Sequence, residues 1–140
     1  MKKVYTRNTL LTGTHYEAGY RLGTQYAAIP QLKSCYTAGY PGFGTEEWEK
    51  ASALFSQWCP GLNEELQGVA DALKTRPQNL VYYAMTWLHP GCSHISLLPS
   101  MTKDGRPKVA RNYEFNDELE DFQLIKTSVE GKYTHMGTSV

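Results

Sequence analysis

The sequence has no surplus charge of either sign. Lys and Arg together number 14, Asp and Glu also number 14, and the formal net charge is zero. A nucleic acid or an anionic membrane surface selects a basic patch, and the chain carries no such footprint. No apolar run approaches the roughly 20 residues that span a bilayer. The opening Met1-Lys2-Lys3-Val4-Tyr5-Thr6-Arg7-Asn8 lacks the apolar core of a secretion signal. These absences predict a cytoplasmic protein with neither nucleic acid nor membrane as partner.

Cysteine is also scarce. Cys35, Cys59 and Cys92 are odd in number and irregular in spacing, which gives no disulfide framework. Reduced thiols suit the cytoplasm. His89, Cys92 and His94 lie near one another in sequence, but zinc needs three or four ligands and no second Cys or His pair supports them. No metal and no cofactor are expected. There is no internal repeat and no low-complexity segment.

What the chain does have is aromatic surface: three Trp and ten Tyr among 140 residues, with 41% hydrophobic residues overall. That is enough for the core of one ordinary domain. Tyr82 and Tyr83 read first as core residues and second as walls of an acyl pocket.

Hydrophobic periodicity divides the chain in two. Residues 3–12 look extended, being rich in β-branched and aromatic residues. Thr14-His15-Tyr16-Glu17 is a capping box, so a helix starts there, and Pro30 is expected to end it. Gly19 and Gly23 would let another element approach that helix closely. A second helix is expected from Thr45, with Trp48, Ala51, Phe55 and Trp58 on one stripe. Pro60 opens a third, whose buried face is Leu62, Leu66, Val69 and Leu73. Pro77 begins a fourth, carrying Leu80, Ala84, Trp87 and Leu88, which Pro90-Gly91 stops.

Beyond residue 91 the pattern turns to β. Residues 93–98 and 107–113 read as a hairpin around Lys103-Asp104-Gly105, and 121–130 and 133–140 as another through Gly131-Lys132. The fold class is therefore α+β, helical first and antiparallel β after. Four strands without a following helix leave one sheet face bare, so the chain reads as part of something longer.

Cys92 stands at the junction. A thiolate is the reactive form of cysteine. Were the Gly91–Cys92 bond cut, Cys92 would gain a free α-amine with a reference pKa of about 7.7–8.0. That amine can take the proton from its own side chain, uniting nucleophile and base in one residue. Gly91 suits a strained scissile bond. The plain alternative for a lone cysteine is a buried, inert thiol.

Four blocks then bear on Cys92. They are Gly13-Thr-His-Tyr-Glu-Ala-Gly-Tyr-Arg-Leu-Gly23, Pro60-Gly-Leu-Asn-Glu-Glu-Leu-Gln-Gly-Val-Ala-Asp71, Gly91-Cys-Ser93 and Ala110-Arg-Asn-Tyr-Glu-Phe115. In this order they resemble the acyl-coenzyme A:6-aminopenicillanic acid acyltransferase-like family, the C45 peptidase group of N-terminal-nucleophile hydrolases, allied to the choloylglycine hydrolases. The resemblance implies an αββα fold, with 1–91 as a helical propeptide or α-chain region and 92–140 as the start of the catalytic domain. It implies autoproteolysis at Gly91–Cys92, and then hydrolysis or transfer of acyl groups at linear amide C–N bonds.

By the same resemblance Cys92 is the nucleophile, Arg111 orients the thiolate, and Glu114 holds the α-amine where the family usually has Asp. Glu114 is one methylene longer than that Asp. Strand alternation also sends Arg111 and Glu114 to opposite faces unless the strand ends or bulges between them. Tyr82, His94 and Asn112 are candidate substrate contacts. The partner is a small acyl amide or acyl donor, with self-association or a separately supplied catalytic segment in addition. The family's oxyanion-hole Asn falls beyond the 140 residues. The alternative is a catalytically inactive truncation whose helical half only folds or interacts.

Overall fold

A computed structural model of the chain describes residues 6–39, 42–81, 93–112 and 123–138. In chain order the elements are β1 (Arg7–Gly13), α1 (His15–Ala27), α2 (Pro30–Thr37), α3 (Thr45–Trp58), α4 (Leu62–Leu73), β2 (Ser93–Leu97), β3 (Lys108–Asn112), β4 (Gln123–Val129) and β5 (His135–Thr138). Residues 77–81 are also helical. The architecture is α+β.

The start of α1 follows from its capping box. The Thr14 hydroxyl accepts the Glu17 N–H at 3.2 Å, and the Glu17 carboxylate accepts the Thr14 N–H at 2.8 Å. These bonds, the Thr14 backbone N–H foremost, hold the Glu17 carboxyl below its ordinary range. One face of α1 is nearly bare of side chains. A Cβ on Gly23 would stand 2.7 Å from the Val69 carbonyl oxygen, and one on Gly19 would run into the carbonyl of Glu65. On the opposing helix, a Cβ on Gly68 would run into the Tyr16 carbonyl. Thus α1 and α4 cross backbone against backbone, as Gly19 and Gly23 lead one to expect.

Around this crossing Tyr26, Leu32, Val69, Ala70, Leu73 and Leu80 close a helical core. Val69 and Leu73 are buried as their spacing predicts, while Leu62 and Leu66 are half-buried. Pro30 does more than stop α1. It is the first residue of α2, where a missing N–H leaves no hydrogen bond unmade. Leu32 of α2 is buried, and Tyr36 stacks on Tyr26 with ring centroids 5.1 Å apart.

α3 begins at Thr45, with Glu47 accepting the Gly44 N–H at 2.9 Å, but it buries no residue. Trp48, Ala51 and Phe55 are half-buried, and Trp58 is 72% exposed. An amphipathic stripe says which face is apolar, not that an element lies against it. Asn63 ties α3 to α4, its amide donating to the Ser52 carbonyl and the Ser56 hydroxyl, both at 2.9 Å.

β4 is the centre of a three-stranded sheet. β5 pairs with it antiparallel and β1 parallel, from Arg7↔Gln123 to Gly13↔Val129. The sheet is therefore mixed. The antiparallel pairing expected beyond residue 91 holds for β2–β3 and β4–β5, while β1, expected only to be extended, adds to β4 in parallel. Along β4, Gln123, Ile125, Thr127 and Val129 are buried in alternation. Ile125 and Val129 join Leu11 and Ala18 in a second core, which half-buried Leu22 links to the first. Leu10, Leu124 and Met136 remain exposed.

Gln123 is 1% exposed, and the Thr9 hydroxyl donates to its Oε1 at 2.5 Å. Gln25 lies 3.2 Å from the same hydroxyl. Thr9 has a single proton to give, and the shorter contact, to Gln123, takes it.

The second sheet is the β2–β3 hairpin. Its connection is longer than an Asp-Gly turn alone. A 3-10 turn at Pro99–Met101 comes first, then Gly105 at φ 63°. Lys108, 3.1 Å from Asp104, holds that carboxyl below its ordinary range.

Candidate functional site

The strand that follows Cys92 sets the geometry here. β2 opens at Ser93, and β3 returns beside it with Asn112 paired to Ser93 and Arg111 paired to His94. Opposed residues in an antiparallel ladder have Cα atoms about 4.5–5.5 Å apart. The backbone of residues 111–112 thus runs alongside the two residues directly after Cys92. His94 is exposed.

The other expected site residues, Tyr82, Gly91, Cys92 and Glu114, lie outside the described residues. What the described residues bring together is the strand pair carrying His94, Arg111 and Asn112, not the full set of nucleophile, arginine and carboxylate. Cys35 is half-buried and Cys59 exposed, both as free thiols. Among the described residues no three His, Cys, Asp or Glu side chains gather to hold a metal ion. No helix among them is long and apolar enough to cross a membrane.

Sequence reasoning missed a side-chain pairing between the two main helices. His15 Nδ1 lies 2.5 Å from Glu65 Oε1, across 50 residues of sequence. The His15 ring rests on Gly61, whose φ is 100°; a Cβ there would run into the imidazole. His15 Nε2 is buried and has no hydrogen-bond partner among the described residues. A general base needs a nitrogen within reach of the proton it takes. With Nδ1 occupied and Nε2 buried against Gly61, the pair fastens the starts of α1 and α4 rather than serving as an acid–base dyad. The Pro60-Gly61 turn was the nearest signal in sequence, and it said nothing of a histidine.

A second link joins the same helices. The Tyr16 hydroxyl donates to Asp71 at 2.9 Å, which pushes the tyrosine pKa above its ordinary range. No protein-family model matches this sequence, and no curated protein matches it.

Proposed function

We propose that the chain belongs to a self-processing cysteine N-terminal-nucleophile enzyme acting on linear amides, of the C45 type, with residues 1–91 as its α-chain region and 92–140 opening its αββα catalytic domain. The single observation that carries this reading is the register Ser93↔Asn112 and His94↔Arg111. It sets the Arg-Asn segment opposite Ser93 and His94, the two residues that follow Cys92 in the sequence. The αββα assignment draws support from the sheet, which has helices on one face and exposed Leu10, Leu124 and Met136 besides.

In the proposed chemistry the Cys92 thiolate first adds to the Gly91 carbonyl carbon. The peptide C–N bond breaks as its nitrogen takes a proton, leaving a thioester and the free Cys92 α-amine, and water then hydrolyses the thioester to the Gly91 carboxylate and the Cys92 thiol. In turnover that α-amine takes the thiol proton, and the sulfur adds to the substrate amide carbon. The leaving amine takes the proton as the C–N bond breaks. Water or a second amine then resolves the acyl thioester. Arg111 keeps the sulfur as thiolate by its charge, and Glu114 holds the α-ammonium.

The test is the intact mass of the purified chain beside a Cys92→Ala control. The expected result is two masses meeting at Gly91–Cys92 in the parent and one in the control. A single uncut mass in both would remove self-processing.

A second reading, a non-catalytic interaction module, draws on α3 alone, where Leu54 is 56% and Trp58 72% exposed. It predicts that the chain stays uncut.

A further inference from the structure

The helices cover the three-stranded sheet unevenly. α1 lies over β1 and β4, whereas all four residues of β5 are exposed. Where the cover stops, a groove of about 300 Å³ opens. Its floor is apolar, made by Leu11, Leu22 and Ile125. Its polar groups come from two sides: Glu65 from α4, and the register partners Thr127 and His135 from the sheet. The volume lies at the lower end for small-molecule sites, and an apolar floor with a few convergent polar groups is their usual make-up. Gly137 keeps the space open. It pairs with Ile125 in the same groove, and a Cβ placed on it would meet nothing within 4 Å.

Charge then selects the ligand. Glu65 gives Oε1 to His15, and its second carboxylate oxygen has no protein donor among the described residues. Thr127 is 6% exposed, and its hydroxyl has no hydrogen-bond partner among the described residues. No Lys or Arg lines the groove among the described residues. An anion would meet the carboxylate with no Lys or Arg in the lining to offset the repulsion. A wholly apolar molecule would leave both oxygens unpaired while taking them out of water. We propose that this groove binds a small organic cation, a primary ammonium on a short apolar body. The ammonium has three protons and no lone pair, and it donates to Glu65, Thr127 and the His135 ring. The body lies over Leu11, Leu22 and Ile125. The proposal does not depend on Cys92 or on any reaction there.

The test is an amide-detected NMR titration of the full chain with n-butylammonium chloride, beside sodium butyrate and n-butanol at matched ionic strength. The expected result is saturable shifts at Thr127, His135 and Gly137 with butylammonium alone. Gly137→Val fills the groove and suits a strand, so it should weaken binding by about tenfold or more with the thermal midpoint kept. Glu65→Gln should weaken binding comparably, although it also disturbs the His15 contact. No saturable shift with butylammonium would overturn the proposal. So would undiminished binding in Gly137→Val, or equal binding of butyrate or butanol.

Discussion

Thr14 is the residue on which the most local structure depends. Its hydroxyl and its backbone N–H both bond within the first turn of α1. Thr14→Ala should cost about 1 kcal/mol, read as a lower urea midpoint with an unchanged slope. Its partner Glu17 has a folded pKa below the ordinary value. Its contribution to stability is therefore fully present above the ordinary glutamate pKa of about 4.3 and is lost as pH falls through the lowered folded value. Glu17→Gln should abolish that part of the acid dependence, checked by denaturation at about pH 6 and about pH 3. Gly61 is the counterpart at α4. Its φ of 100° and the imidazole against it both exclude a side chain. Gly61→Ala should cost about 1–3 kcal/mol, measured the same way. The capping box was legible because it is a four-residue pattern with its own chemistry. The His15–Glu65 contact was not, because nothing local to either residue names the other.

At the scale of elements, α1 with α4 and α3 are opposite cases. The first pair is joined by glycines whose replacement runs into backbone. Gly19→Ala must push the helices apart, at a cost of about 1–3 kcal/mol in thermal or urea unfolding. α3 buries no residue, so its amides should exchange faster than those of α1, α2 and α4 in a hydrogen-exchange experiment. The sequence announced α3 and α4 with equal clarity, since both carry a stripe at helical spacing. Only tertiary contact separates them. Pro30 shows the same limit at a boundary. A proline that ends one helix is equally fitted to begin the next, and the intervening Ala28 and Ile29 do not decide between the two. The hairpins were easier, since each strand's partner comes next in the chain and a Gly with positive φ marks each turn.

For the whole molecule, what the sequence left unread is the long-range part: which strands pair across the helical region, and which sheet face the helices cover. The alternation on β4 gave two faces, and the choice between them came from Leu11 and Ala18 closing on Ile125 and Val129. The candidate catalytic residues were readable only through family resemblance. The register of β2 with β3 sets Arg111 and Asn112 opposite His94 and Ser93.

The parallel partnership of β1 with β4 bears on what a cut at Gly91 would do. Thr9 and Gln123, joined by a hydrogen bond, are 114 residues apart and would end up on different polypeptides. The amino-terminal product would remain a strand donor in the other product's sheet, with Leu11 still in its core. It could not be shed as a spent leader without baring Ile125 and Val129. Residues 1–91 and 92–140, made separately and mixed, should accordingly reconstitute one particle on native size exclusion and part only in denaturant.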